Sequence, residues 1–300
     1  MKRFSTRQAT FTASLMLLVF SLLTTAAAAD TLDASKRFTV SREGAGDQVF
    51  FIPGLTSSPS AFKAALSEPL GVEAHWITLA GFAGVDAPPT TDNFVGDAAS
   101  SLVAFIESQD LKNVRLVGHS MGGVLSLMIA SRLPERVSAV LIVDSVPFLP
   151  ALFQPGITEE LAAMQANGMK AQFDSMSHAQ FLTMMGQGLP RQATSPDSQA
   201  LVFDDIKASD QRSVAAATAE LFGTNYSHLL DTVRAPVTVL VPHNAFVGMT
   251  SEQLLSVYRG MYEGLSNVDF TVVENSRHFV MLDQPEAFDA ALTNFLEGAQ

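Results

Sequence analysis

Gly118-His119-Ser120-Met121-Gly122 is the segment that leaves this chain the fewest ways to fold. It follows an apolar run, Val114 to Val117, and precedes a largely apolar stretch, Val124 to Arg132, so it reads as the turn between a buried strand and a helix. A turn this short puts its central residue on a strained backbone, and it brings strand and helix so close that positions two residues to either side must be small. Gly118 and Gly122 meet that demand. The serine between them is presented at a helix N-terminus, where a weakly nucleophilic hydroxyl becomes reactive once a general base is within reach. Ser120 is the candidate nucleophile.

The flanking pattern suits such a turn. From Gln48 onward short apolar runs alternate with amphipathic stretches, the rhythm of a mostly parallel sheet with helices on both faces, an α/β fold. Strands are expected at Val49 to Ile52, Ala74 to Leu79, Asn113 to Val117, Ala139 to Val143, Pro236 to Val241 and Val268 to Val273. Helices are expected at Ser60 to Ser67, after Thr91 and Asp92 as caps, at Val124 to Arg132, around Glu252 to Tyr262, and from Pro285 to Leu296. Between Val146 and about Thr232 the rhythm breaks into Met-rich helical stretches interrupted by Pro and Gly. That segment, 146–232, reads as a helical cap inserted into a core formed by 30–145 and 233–300.

Phe51-Ile52-Pro53-Gly54-Leu55, Gly118-His119-Ser120-Met121-Gly122-Gly123 and Ser276-Arg277-His278-Phe279 together resemble the α/β-hydrolase superfamily across 48–298, the cap excepted. The resemblance implies the α/β-hydrolase fold and the chain order nucleophile, acid, histidine. His278, shortly after the last expected strand, is then the general base. His119 is its rival by position, but a side chain adjacent to Ser120 in a tight turn points away from the hydroxyl, so it is read as structural. The acid departs from the commonest pattern, because the loop Val241-Pro242-His243-Asn244-Ala245-Phe246 contains no carboxylate. Haloalkane dehalogenase relatives carry their acid instead after the strand that follows the nucleophile helix, and Asp144 occupies that place. Asp283 and Asp231 are weaker candidates. The resemblance also implies backbone N–H groups of Met121 and Leu55 as oxyanion donors, although Pro53-Gly54 stands where His-Gly is frequent. Phe82 and Phe148 are candidate substrate contacts.

Before all this lies a leader. Lys2, Arg3 and Arg7 precede an apolar run from Phe11 to Leu23 and then Ala26 to Ala29, the pattern of a secretory signal peptide at 1–29. The run is short of the ~20 residues that span a bilayer. An exported product, periplasmic or secreted, without a stable membrane anchor is expected. The chain has no Cys, which excludes cysteine catalysis, disulfides and thiolate metal sites. No H-E-x-x-H spacing occurs, and neither metal nor cofactor is expected. The formal charge is −12; removal of 1–29 takes three basic and no acidic residues, turning 18 against 30 into 15 against 30, or −15. Nucleic acid is a disfavoured partner for such a surface. Together these features predict an exported serine hydrolase acting through an acyl-enzyme on a small hydrophobic, ester-like molecule. Lactones, thioesters and carbon–carbon bonds are open to the same residues, and so is a ligand-binding protein that kept the fold without the chemistry.

Overall fold

The computed structural model describes residues 37–298, so the leader read at 1–29 lies outside the described residues. The chain enters as β1 (Phe38–Gly44) and β2 (Gln48–Ile52), passes through a short α1 (Ser60–Lys63) and continues as β3 (Glu73–Leu79), α2 (Phe94–Ser108), β4 (Val114–His119), α3 (Met121–Arg132) and β5 (Val137–Val143). Five helices follow without a strand: α4 (Leu149–Phe153), α5 (Glu159–Ser175), α6 (His178–Gln192), α7 (Pro196–Lys207) and α8 (Gln211–Gly223), then a 3-10 turn, Ser227–Thr232. The sheet resumes with β6 (Val237–His243), α9 (Ser251–Met261), β7 (Val268–Glu274), α10 (Val280–Asp283) and α11 (Pro285–Gly298).

The seven strands form one sheet in the order β1-β3-β2-β4-β5-β6-β7. All neighbours are parallel except β1, which runs antiparallel to β3. Every residue of β4 is buried, as are all but one of β5, because helices cover both faces of a parallel sheet. This is the α/β-hydrolase architecture that the resemblance implies. β1 was not anticipated. Phe38 and Val40 face inward while the far end of the strand is exposed, so it lacks the continuous apolar run that marks the central strands.

Two helices differ from expectation at their ends. The helix expected over Ser60 to Ser67 stops at Lys63 and gives way to turns in which Ala65 and Leu66 donate to Phe62 and Lys63. Pro69 disfavours helical backbone at the residue before it and so limits any extension. At α2 neither Thr91 nor Asp92 is the cap. Asn93 holds that place in a left-handed conformation without a side-chain cap bond, and the Glu220 carboxylate of α8 accepts from the N–H groups of Val95 (2.9 Å) and Gly96 (3.0 Å). A carboxylate from a distant helix thus serves the positive end of α2.

α8 packs against both α5 and α2, linking the helical segment to the body. Other ties are polar. Asp205 on α7 accepts from the Ser58 N–H and hydroxyl, and the Asp210 N–H donates to the Gly81 carbonyl. Among the described residues no helix is long and apolar enough to cross a membrane.

Candidate active site

Ser120 sits between the end of β4 and the start of α3 with φ 53° and ψ −121°, a region that non-glycine residues seldom occupy. Its N–H donates to the Val143 carbonyl at 3.0 Å, tying the turn to the end of β5. The two glycines are forced by contact. A Cβ on Gly118 would lie 2.3 Å from the Gly122 carbonyl oxygen, and one on Gly122 would lie 1.9 Å from that of Ile52. A Cβ on Gly54 would come within 2.9 Å of the Ser120 Cβ, so the Pro53-Gly54-Leu55 loop runs along the flank of the serine. Gly122 bridges the two segments that carry the candidate oxyanion donors, Met121, buried at the start of α3, and Leu55, half-buried in its loop.

His278 and Asp144 meet although 134 positions separate them: His278 Nδ1 lies 2.6 Å from Asp144 Oδ2. Their side chains are 30% and 15% exposed, which leaves the imidazole reachable and the carboxylate sheltered. Asp144 follows β5 in a left-handed conformation (φ 44°), and its N–H donates to the Leu240 carbonyl at 3.0 Å. With Nδ1–H donated to the carboxylate, Nε2 keeps its lone pair. No hydrogen bond joins the Ser120 hydroxyl to His278 among the described residues; such contacts often tighten only once substrate is bound.

His119 is buried, and its Nε2–H donates to the His278 carbonyl at 3.0 Å. Its ring packs on those of His278 and Phe279 at centroid distances of 4.5 and 4.7 Å. Burial first, and the neighbouring His278 second, hold its pKa well below the ordinary value. It is a neutral prop beneath the histidine loop. Asp283 does not meet His278. Its two oxygens take the Thr194 N–H and hydroxyl and the Arg277 N–H, pinning the loop to the α6–α7 corner, while Arg277 donates to the Pro190 and Ala193 carbonyls. Asp231 is exposed in the 3-10 turn, beside Gly264.

Other residues at the site escaped sequence reasoning. The Tyr258 hydroxyl on α9 donates to Asp144 Oδ1, the oxygen that His278 does not use. Asn244, in the loop without a carboxylate, donates from Nδ2 to the Ser276 carbonyl at 2.7 Å and so braces the histidine loop. Spacing offered a partial signal for Tyr258, since Leu254, Tyr258 and Tyr262 recur every four residues on one helical face. Nothing in it pointed to Asp144.

Of the two candidate substrate contacts, Phe82 requires correction. It has no exposed surface and its ring packs against Phe94 at 5.1 Å, so it belongs to the core and offers no wall to a ligand. The Gly81-Phe82 turn folds the ring inward, under α2. Phe148, just before α4, is half-buried. Two open clefts lie elsewhere, one along α9 and β7 near Tyr262 and Phe270, the other between α2, α5 and α8 near Glu220; neither is lined by Ser120, Asp144 or His278. Among the described residues no group of three or more His, Cys, Asp or Glu is placed to hold a metal ion.

Comparison with known proteins agrees with this architecture. The sequence profile of the Alpha/beta hydrolase family matches residues 49–291. A protein of Caulobacter sp. (strain K31), named provisionally as the carbamate hydrolase RutD, is 25% identical over 84% of this chain and 87% of its own length. Among solved structures, the bromoperoxidase from Bacillus anthracis superposes with a TM-score of 0.71 at 19% identity, covering 87% of this chain and 95% of that one. A thermophilic esterase from Thermogutta terrifontis gives 0.68 at 19% identity, covering 87% and 94%.

Proposed function

The chain belongs to the alpha/beta hydrolase family, and on that premise we propose that this hydrolase cleaves carboxylic esters through an acyl-enzyme on Ser120. The observation that carries the reading is the 2.6 Å contact of His278 Nδ1 with Asp144, in a chain whose Ser120 is held on a strained strand-to-helix turn. His278 Nε2 takes the Ser120 proton as Oγ bonds to the substrate carbonyl carbon. The oxyanion that develops is met by the N–H groups of Met121 and Leu55. Collapse breaks the bond to the alkoxy oxygen, which leaves as the alcohol with the proton from Nε2, and water then releases the acid by the same steps in reverse order. Asp144 keeps the imidazole in the required tautomer.

The substrate is a small molecule with an apolar acyl or alcohol group. Support comes from the apolar side chains that the helical segment carries, among them Phe148, Leu149, Leu152, Met184 and Met185, all partly buried. A carbamate is the second bond type in the proposal, favoured by the name of the Caulobacter relative, because attack on a carbamoyl carbon uses the same parts. The leader at 1–29 carries the further proposal of export. N-terminal sequencing of the mature protein should then begin at Ala29 or Asp30, and a product that retains Lys2 rejects it.

A fluorophosphonate probe should label the wild-type protein and not Ser120→Ala. Turnover of p-nitrophenyl esters should follow the same pattern, with chains longer than acetate accepted. A folded wild type that neither labels nor turns over any ester or carbamate at neutral pH overturns the proposal.

A further inference from the structure

Asp144 has two carboxylate oxygens in a sheltered site, and each faces one donor: Oδ2 faces His278 Nδ1 and Oδ1 faces the Tyr258 hydroxyl. Tyr258 is itself buried in the last turn of α9, the helix that follows the β6 loop where a carboxylate is absent. One turn further on, the Tyr262 hydroxyl donates to the Ser145 carbonyl at 2.8 Å, fixing the backbone directly after Asp144. A single helix thus grips both the carboxylate and the peptide beside it.

We propose that Tyr258 is a positioning residue of the hydrolytic site, whose hydroxyl locks the Asp144 carboxylate in the orientation that presents Oδ2 to His278. The inference rests on the function proposed above. The physical need is specific. A carboxylate at the end of a strand can rotate about its Cβ–Cγ bond, and with one donor it satisfies that donor through either oxygen. A second donor on the opposite side removes this freedom. Burial, reinforced by the charge on Asp144, pushes the Tyr258 phenol far above its ordinary pKa, so it remains a donor throughout the working range. The acid sits one strand away from its commonest place in such chains, and the helix after the vacated loop supplies the brace that holds it.

Tyr258→Phe keeps the ring and deletes the donor. It should lower kcat for a p-nitrophenyl ester about ten- to a hundredfold, the cost of one unsatisfied buried acceptor, with KM within about twofold. The low-field proton resonance of His278 Nδ1–H should be present in wild type and lost or moved upfield in the variant. Tyr262→Phe is the matched control for the resonance alone: it removes a buried phenol one turn away but no donor to the carboxylate, so the His278 resonance should stay at its wild-type position. The chain has three tyrosines, Tyr226, Tyr258 and Tyr262. Uniform 3-fluorotyrosine labelling, which strengthens each phenol as a donor at nearly unchanged size, should shift the His278 resonance in the Tyr262→Phe background even if Tyr258→Phe does not fold. Wild-type kcat in Tyr258→Phe overturns the inference, and so does a loss of kcat with an unmoved resonance, which marks a packing effect. Both outcomes leave the ester reading standing if the wild type labels and turns over. A wild type that does neither overturns that reading and this inference with it.

Discussion

Asp144 lies at the end of a strand that is otherwise wholly apolar from Ala139 onward, and that contrast is the strongest statement made by any single residue after Ser120. A carboxylate in such a place needs partners, and it has two, His278 and Tyr258. Asp144→Asn replaces an acceptor with an amide and favours the wrong imidazole tautomer. A fall in kcat of about 10⁴-fold is expected for the proposed triad, with the fold retained by circular dichroism. Near-wild-type turnover would return the role to another carboxylate, yet Asp283 and Asp231 are both engaged or placed elsewhere. His119 shows how a residue adjacent to the nucleophile acts through structure alone. The strained backbone of Ser120 directs the two neighbouring side chains apart, so His119 turns into the core and holds up the His278 carbonyl.

At the scale of elements, α2 begins without a local cap and borrows one from α8. The sequence suggested Thr91 and Asp92 because capping preferences are local, whereas Glu220 is 125 residues away from Val95. Glu220→Ala should lower stability by about 1 to 2 kcal/mol, since it strands the Val95 and Gly96 N–H groups at a helix N-terminus. Glu220→Gln should cost less. Urea unfolding of both variants reads the difference, and an unchanged midpoint for Glu220→Ala would reject the cap. α9 shows the same principle at the site. Its buried face was legible as a four-residue rhythm, but which of its tyrosines meets a carboxylate depends on where β5 ends relative to the helix, and that is set by the pairing of β5 with β6.

The whole molecule carries its pH response in the core as well as on its acidic surface. His75 on β3 has no exposed side-chain surface, stacks on Phe50 at 4.3 Å and bonds Gln48 through Nε2 at 2.6 Å. Burial first, then the charge of Arg42, lowers its pKa to about 4, with Glu73 opposing. The unfolded chain therefore takes up this proton first as the pH falls. The associated stability is fully present above about pH 6.5 and is lost between there and about pH 4, by up to roughly 3 kcal/mol. In His75→Gln the difference in urea midpoint between pH 7 and pH 4.5 should be smaller than in wild type; equal differences would show that His75 does not contribute. The strands from β2 to β7, the sharp turn at Ser120 and the lateness of His278 were all legible in the chain, because apolar runs, glycine spacing and chain order are properties of short segments. Only the tertiary structure decided that Phe82 is core, that Glu220 serves α2, that Asn244 braces the histidine loop, and that Tyr258 faces Asp144 from the side opposite His278. Each of these depends on a contact between segments far apart in sequence, and the partners of such a contact are chosen by how strands pair and helices pack, which no local pattern encodes.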